Sequence, residues 1–234
     1  MTAAEVTPVS APALAFVDDL DQPELNRDDH HHLSRVLRLA PGTVIALADG
    51  AGRWRAAHLA ERPQPCGPVH HDPAPTPALT VAFAPVKGER PEWVVQKLTE
   101  LGVDRIVPFL AERSVVRWDA ERGARQVARW RKVAREAAMQ CRRTRLPEVA
   151  ALADTAAVAA LPGASRADRD GEPPSLARPA LLVGPEGGWS PAERALLAGA
   201  TRLGEHVLRA ETAAVAAGAV LAALRAGLVG PHAG

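Results

Sequence analysis

The second half of the chain alternates apolar runs with an amphipathic segment. Residues 79–84 form a short apolar run that predicts a buried strand, and residues 103–109 predict another. Between them, Pro91 opens a segment with apolar residues at helical spacing, and Gly102 closes it. Strand, helix and strand in this order are typical of an α/β fold, in which helices cover a parallel sheet.

The first part of the chain has a different pattern, with short runs of β type and little helical periodicity. Residues 43–48 and 53–59 predict two strands. Asp49-Gly50 between them predicts a hairpin turn. Residues 32–38 predict a short helical turn. We therefore expect a small, β-rich N-terminal domain.

A proline-rich stretch separates these two patterns. Residues 62–77 contain six prolines, which predicts a semi-rigid linker. We divide the chain into a first domain at 1–65, a linker at 66–77 and a second domain at 78–234. Within the second domain, residues 161–179 are rich in Pro, Gly, Ser and charge, and they predict a mobile loop.

A glycine-rich turn is the first candidate site. The chain has an apolar run at 180–183, a Gly-Pro-Glu-Gly-Gly turn at 184–188, and then Ser190 and Glu193 as a capping box that starts a helix. Such a turn lets a ligand approach the backbone closely, and the free N–H groups of the helix start can bind it. The alternative is an ordinary tight connection between a strand and a helix.

A second stretch carries a resemblance to a known family. Residues 203–214 read Leu-Gly-Glu-His-Val-Leu-Arg-Ala-Glu-Thr-Ala-Ala, with a glycine break followed by a small-residue helix. Together with the turn at 184–188, this stretch resembles the SPOUT class of RNA methyltransferases, the knotted superfamily that includes TrmD. More narrowly, the chain is similar to the RsmE family, whose members make 3-methyluridine in 16S ribosomal RNA using S-adenosylmethionine.

Other segments extend the resemblance over nearly the whole chain. The family's R-V-L-R-x-x-x-G pattern is present at 35–42, and its K-G-E-R and Q-K-x-x-E-L-G-V segments are present at 87–90 and 96–103. The chain departs from the family at 139–143, where Met-Gln-Cys-Arg-Arg replaces the usual E-Q-C/S-G-R. The resemblance implies an N-terminal PUA-like β-barrel that binds RNA, followed by a SPOUT α/β domain with a C-terminal trefoil knot around a mostly parallel sheet.

The resemblance also implies which residues hold the cofactor. Backbone groups of the glycine-rich turn and of the second loop would bind the adenine and ribose of S-adenosylmethionine, with apolar residues as walls. The residues expected at this site are Leu182, Gly184, Pro185, Glu186, Gly187, Gly188, Leu203, Gly204, Val207, Leu208, Arg209 and Thr212.

Methylation at N3 of uridine requires loss of the N3 proton. A carboxylate could act as general base, or cationic groups could stabilise the negative charge that develops on the uracil oxygens. Glu211 and Glu186 are the carboxylates of the matching loops, and Arg209 and Arg145 are the cationic candidates. We expect Glu211, Arg209 and Arg145 to be catalytic. Structural roles remain open: Glu211 as a capping acid of the last helix, and Arg209 as a tie to loop carbonyls.

Positive charge is concentrated in one segment. The chain has a net charge of +1, yet nine Arg or Lys stand against two Asp or Glu between residues 120 and 145, a local net charge of +7. Residues 120–141 predict an amphipathic helix in which Glu136 alone is placed to offset these charges. We expect RNA phosphate contacts there, the alternative being a solvated face. The residues expected to bind RNA are Arg35, Arg38, Arg125, Arg129, Lys132, Arg143 and Arg145.

The remaining composition favours a reduced, cytoplasmic protein. The two cysteines lie far apart and form no metal-ligand or redox motif. Adjacent histidines at 30–32 would point to opposite faces of a strand and lack accompanying ligands, so we expect no metal. The longest uncharged apolar run, at 212–224, is shorter than the ~20 residues that span a bilayer, so we expect no membrane association.

The expected partners are 16S ribosomal RNA or the small ribosomal subunit, and a second copy of the chain. SPOUT enzymes act as dimers, and the small-residue C-terminal helix suits such an interface. A non-catalytic ribosome-binding or assembly protein that keeps the fold is the alternative. A phosphate-binding nucleotidase is a weaker third interpretation, because the chain lacks G-x-x-x-x-G-K-[ST] and paired metal carboxylates.

Overall fold

The computed structural model describes residues 6–197 and 199–230. The outer ends of the two predicted domains, at 1–5 and 231–234, lie outside the described residues. Among the described residues, no helix combines the length and the apolar character needed to cross a membrane.

The chain forms two compact units. The first comprises Met1–Ala74 together with Arg135–Leu146, and the second comprises Pro75–Ala134 and Pro147–Gly234. The predicted division assigned the whole of 78–234 to the second domain. The structure corrects this for residues 135–146, which belong to the first unit. The reason is packing, because Ala138 is fully buried in the hydrophobic core of the first unit.

Helices and strands occur in both units. The α-helices are α1 Arg27–His31, α2 Arg90–Glu100, α3 Ala120–Gln140, α4 Thr155–Ala159, α5 Pro191–Leu196 and α6 Ala210–Arg225. The strands are β1 Leu14–Phe16, β2 Val44–Ala48, β3 Arg53–His58, β4 Gln64–Pro65, β5 His70–His71, β6 Thr80–Phe83, β7 Arg105–Leu110, β8 Glu148–Val149, β9 Ala153–Asp154, β10 Ala164–Glu172, β11 Ala180–Val183 and β12 Ala200–Thr201.

The first unit contains a five-stranded sheet in the order β1-β2-β3-β4, with β5 also paired to β3. The predicted hairpin is confirmed, because β2 and β3 pair antiparallel with Val44 opposite His58. Strands β4 and β5 lie inside the stretch predicted as a linker. The prolines do not prevent this pairing, because both strands are only two residues long and pair with β3 alone.

The predicted helical turn of the first unit is also present, in a longer form. Asn26 caps α1 by accepting a hydrogen bond from the backbone N–H of Asp29 at 2.8 Å. A π-helical turn, His32–Val36, continues directly from α1. Leu33 is fully buried in this turn and anchors it to the core of the unit.

The second unit is built on a parallel sheet in the order β12-β10-β11-β6-β7-β8, with β9 also paired to β7. Every strand pair of this sheet within the described residues is parallel, which confirms the predicted α/β class. The predicted strand–helix–strand unit is formed by β6, α2 and β7.

The alternation of side chains along β6 explains why helices cover both faces of the sheet. Val81 and Phe83 pack with residues of α2, α3 and α6 in one core cluster, whereas Ala82 packs in a second cluster with residues of α4. Successive strand residues point to opposite faces, so the sheet is covered on both sides. The four buried residues of α6 form its inward face. Gly218 is among them, and a Cβ there would lie 2.6 Å from Cδ2 of Leu98.

One prediction for this unit is wrong. Residues 161–179, predicted as a mobile loop, contain the nine-residue strand β10 between β11 and β12. The stretch lacks an apolar alternation because charged residues hold it instead. Arg166 donates hydrogen bonds to the carbonyl of Leu197 and, at 3.2 Å, to the carboxylate of Asp168.

Candidate functional site

The two glycine-containing stretches meet at one cavity of the second unit. The cavity has a volume of about 460 Å³ and is lined by the turn that follows β11, the loop that precedes α6, and part of β10. This volume lies within the range of about 300–1,000 Å³ that is usual for small-molecule sites. Ligands of open α/β sheets commonly bind where strands end at such a crevice.

Most residues expected to hold a cofactor line this cavity. They are Gly184, Pro185, Glu186, Gly188, Leu203, Gly204, Val207, Leu208 and Arg209. Three others do not. Leu182 is fully buried in the opposite core cluster, a Cβ on Gly187 would lie 3.0 Å from Cβ of Arg113, and Thr212 is exposed in α6. Because strand residues alternate, Val183 lines the cavity in place of Leu182.

The cavity has further walls that the sequence did not indicate. They are Ala167, Asp168, Arg169, Val183, Trp189, Arg194, His206, Ala210 and Ala213. Ala167, Asp168 and Arg169 belong to β10, which was predicted as a loop. Arg194 follows the capping-box residue Glu193 directly, so the position of that box was the one signal that pointed to it.

The capping box after the turn is confirmed, and its acid does more than cap. Oε2 of Glu193 accepts a hydrogen bond from the backbone N–H of Ser190 at 2.9 Å. Oε1 accepts from the N–H of Glu112 at 2.9 Å and from the hydroxyl of Thr155 at 2.8 Å. Burial alone would raise the pKa of Glu193, but these hydrogen bonds outweigh it and the pKa is lowered. Glu193 therefore joins three segments beneath the turn.

Position 184 requires glycine because the ring of Trp189 lies close to its backbone. A Cβ at this position would lie 2.8 Å from the ring of Trp189. That ring is fixed, because it stacks on Phe109 with centroids 5.9 Å apart and its Nε1 donates to the carbonyl of Ala167 at 3.1 Å. Within the same turn, Gly188 has a φ of 69°, a conformation that favours glycine.

An ionic cluster forms one side of the cavity. Arg166 and Arg194 both pair with Oδ2 of Asp168, and the Asp168 side chain is only 11% exposed. Burial raises the pKa of Asp168, but the hydrogen bonds and charges of the two arginines outweigh burial and lower the pKa overall. Asp168 is therefore ionised at neutral pH.

The expected catalytic residues are placed differently from one another. Arg209 is exposed, precedes α6 and lines the cavity. Glu211 lies in the first turn of α6, outside the cavity lining, and its Oε1 is 3.4 Å from the guanidinium of Arg90. Arg145 belongs to the first unit, where it donates to the backbone carbonyl of Asp72 at 2.7 Å.

The basic helix has the predicted apolar stripe, but its charges are better balanced than expected. Trp130 is fully buried, as the periodicity predicts. Arg125 pairs with Glu121, and Arg129 pairs with Glu92 at 3.2 Å. The prediction that Glu136 alone offsets the positive charges is therefore wrong. Glu121 lies in the helix itself, four residues before Arg125, whereas Glu92 comes from α2 and is not visible in the helix's own sequence. Lys132 is exposed.

The remaining arginines expected to bind RNA lie in the first unit. Arg35 and Arg38 are exposed, and Arg143 is half-buried. Arg142, which occupies the family's glycine position, has a φ of 64°. This is the left-handed conformation that favours glycine, and Arg142 adopts it here. The guanidinium of Arg142 donates to the carbonyls of Met139 and Pro12 at 2.8 Å and 2.5 Å.

The potential metal ligands and the cysteines of the described residues are scattered. In the part of the chain that the structure describes, no group of three or more His, Cys, Asp or Glu side chains is arranged to hold a metal ion. Neither Cys66 nor Cys141 forms a disulfide bond within the described residues, and both side chains are half-buried. Burial raises the pKa of the Cys66 thiol.

Comparison with known proteins agrees with this geometry. Residues 72–222 match the family described as an RNA methyltransferase domain. Ribosomal RNA small subunit methyltransferase E of Mycobacterium bovis is 36% identical over 220 residues, which cover 82% of this chain and 83% of the relative.

Solved structures give the same result. A crystal structure from Porphyromonas gingivalis matches with a TM-score of 0.79 and 27% identity, over 93% of this chain and 100% of the other. Ribosomal RNA small subunit methyltransferase E of Neisseria gonorrhoeae, bound to S-adenosyl methionine, matches with a TM-score of 0.75 and 27% identity, over 91% of this chain and 97% of the other. The fold and the matched domain define an RNA methyltransferase. The chain belongs to the RsmE family of ribosomal RNA methyltransferases.

Proposed function

We propose that the protein transfers a methyl group from S-adenosylmethionine to N3 of a uridine in 16S ribosomal RNA, in the cytoplasm. The observation that carries this proposal is that the Gly-Pro-Glu-Gly-Gly turn and the loop before α6 line the same cavity. The relative from Neisseria gonorrhoeae, of the same fold, holds S-adenosyl methionine. The site of methylation rests on the resemblance to RsmE.

The residues around the cavity fit this cofactor. Val183, Leu203 and Leu208 supply apolar walls for a purine, and the turn at 184–188 leaves open space beside Gly188. Charged side chains also belong to the lining, and they would bind the polar end of the cofactor. The bound cofactor would supply an activated methyl group on its sulfonium, and the protein would bind it, orient it and exclude water.

Two residues near the cavity serve the proposed chemistry at N3. Arg209 is exposed at the cavity wall and would stabilise the negative charge that develops on the uracil oxygens. Glu211 is the proposed base for the N3 proton. Its Oε2 is buried and accepts no hydrogen bond within residues 6–197 and 199–230, while Arg90 holds Oε1. A carboxylate fixed at one oxygen keeps the other as a proton acceptor.

The RNA would be held by positive charge on both units. We assign to the first unit the role of a PUA-like RNA-binding barrel, with Arg35, Arg38, Arg143 and Arg145 as its contacts. Lys132 is exposed on α3, and Arg125 and Arg129 beside it would exchange their carboxylate partners for phosphates.

A trefoil knot and a homodimer complete the proposal, as the resemblance implies. Apolar side chains directly after α6 support the dimer, because Leu228 is 79% exposed and Val229 is 48% exposed. A second copy would cover them. Sedimentation analysis tests this, and a monomer at micromolar concentration would contradict it.

Calorimetry and single-turnover transfer together test the proposed function. The protein should bind S-adenosylmethionine and transfer its labelled methyl group to purified small ribosomal subunits. Binding of the cofactor without transfer, while the ribosomal subunit is still bound, would favour the alternative of a non-catalytic ribosome-binding protein. Absence of cofactor binding would contradict the proposal itself.

A further inference from the structure

The ionic cluster at the cavity wall contains hydrogen-bonding atoms that its internal contacts do not use. Both arginine partners of Asp168 bind the same oxygen, Oδ2. Across the described residues, no hydrogen-bond donor contacts Oδ1 of Asp168. The Arg194 side chain lines the same cavity and is 47% exposed, so most of its five N–H donors are available. The cavity thus presents a free carboxylate oxygen and a free guanidinium edge side by side.

We propose that Asp168 and Arg194 form the receptor for a zwitterionic α-amino acid group. Asp168 accepts hydrogen bonds from the ammonium group, and Arg194 donates to the carboxylate. This inference rests on the proposed function, because the methionyl end of S-adenosylmethionine is such a group. It names the residues that distinguish the intact cofactor from an adenosine thioether without an amino acid.

The surroundings of the pair are suited to this role. Arg166 is only 14% exposed and is held by the backbone carbonyl of Leu197, so it fixes Asp168 from behind the cavity wall. Asp168 itself is 11% exposed, which places its charge where water screens it weakly. Charge-assisted hydrogen bonds in such places are the stronger ones. The two charges of the receptor are opposite and adjacent, which matches the two charges of a zwitterion.

The lining residues differ in chemistry. Val183 and Leu208 offer apolar surface, which suits a purine rather than an ammonium group. A different role for Asp168 would be to accept hydrogen bonds from ribose hydroxyls. That role predicts a contact with every adenosine ligand, whether or not it carries an amino acid, and binding data can separate the two.

Three thioether ligands distinguish an ammonium contact of Asp168 from a ribose contact. S-adenosylhomocysteine carries the full amino acid, S-adenosyl-3-thiopropylamine keeps the amine but lacks the carboxylate, and 5′-methylthioadenosine lacks both. All three share the adenosine and a neutral sulfur, so differences between them report the amino acid end alone. Their dissociation constants are measured by calorimetry for the full chain, for Asp168→Asn and for Arg194→Gln. Arg202→Gln, at an exposed arginine outside the cavity lining, is the matched control.

The expected pattern is specific to each ligand. Asp168→Asn should weaken binding of S-adenosylhomocysteine and of the amine by about 10- to 100-fold, the effect of losing one hydrogen bond to a charged group. Arg194→Gln should weaken S-adenosylhomocysteine by a similar factor and leave the amine unchanged. Neither substitution should alter the binding of 5′-methylthioadenosine, and Arg202→Gln should alter nothing.

Other patterns have distinct meanings. Equal losses for all three ligands in Asp168→Asn would overturn the receptor and favour the ribose contact. Equal affinities of the unsubstituted protein for all three ligands would also overturn it, and this comparison holds even if a variant fails to fold. If the unsubstituted protein binds none of the three, the proposed function fails and the receptor fails with it.

Discussion

The guanidinium of Arg90 lies 3.4 Å from the carboxylate of Glu211, which joins the start of α2 to the first turn of α6. Arg90 is half-exposed, whereas the Glu211 side chain is only 12% exposed. The second oxygen of Glu211 is buried and, in the described part of the chain, has no hydrogen-bond partner. A helix cap alone would not require a buried carboxylate oxygen without a hydrogen-bond partner, so this arrangement bears directly on the role of Glu211.

Glu211→Gln keeps the size of the side chain and removes its charge. If Glu211 is the base, cofactor and RNA should still bind, and single-turnover methyl transfer should slow by roughly 10²–10⁴-fold. Raising the pH should restore part of the rate, because more uridine is then ionised. Glu205→Gln, at an exposed acid outside the cavity lining, is the control. A normal rate combined with a stability loss of about 1 kcal/mol would show that Glu211 only caps α6.

Gly184→Ala tests the wall of the cavity. The new Cβ would lie 2.8 Å from the Trp189 ring, so the ring must move away from Phe109 and from the carbonyl of Ala167. We expect at least a tenfold loss of affinity for S-adenosylmethionine by calorimetry, about 1.4 kcal/mol. Gly230→Ala has no neighbour within 4 Å and should change nothing. Unchanged affinity in Gly184→Ala would remove the turn from the site.

The basic helix is tested by salt dependence. Replacing Arg125, Arg129 and Lys132 together by Ala should weaken RNA binding. The slope of log affinity against log salt should fall by about one unit for each phosphate contact that is lost. Affinity for S-adenosylmethionine should stay the same. A salt slope identical to that of the unsubstituted protein would mean that Glu121 and Glu92 already satisfy the two arginines and that the helix face is only solvated.

Glu193 predicts a specific dependence of stability on pH. Its pKa is lowered in the folded state, so its contribution to the free energy of unfolding is present above the unfolded pKa of about 4.3 and is lost as the pH falls through the folded pKa. Glu193→Gln should therefore be less stable by about 1–3 kcal/mol at pH 7 in urea unfolding. The difference should shrink below about pH 4. A difference that stays constant with pH would contradict this role of the charge.

Elements with regular periodicity could be predicted from the sequence, and elements held by charge could not. The parallel sheet, the hairpin, α3 and the capping box followed from apolar spacing and cap residues. Strand β10 was missed because its side chains form ion pairs, as Arg166 and Asp168 do, and show no alternation of apolar and polar residues. Because β10 was missed, Ala167, Asp168 and Arg169 were not expected at the cavity.

Finer errors have equally local causes. Leu182 was expected to hold the cofactor, but the alternation of the strand buries Leu182 and places Val183 in the lining of the cavity. The grouping of residues 135–146 with the first unit depends on contacts between residues far apart in the sequence. Arg135, for example, binds the buried carboxylate of Asp29, 106 residues earlier. No local sequence pattern predicts a contact between residues so far apart in the chain.

Methyl transfer to uridine N3 is the role proposed for the cavity of this RsmE-family protein. The measurement that tests it most directly is nucleoside mass mapping of 16S ribosomal RNA from cells with and without the protein. We predict that one 3-methyluridine is absent from the RNA of cells that lack the protein and returns when the gene is restored. An unchanged set of modified nucleosides, or the loss of a different one, would contradict the claim.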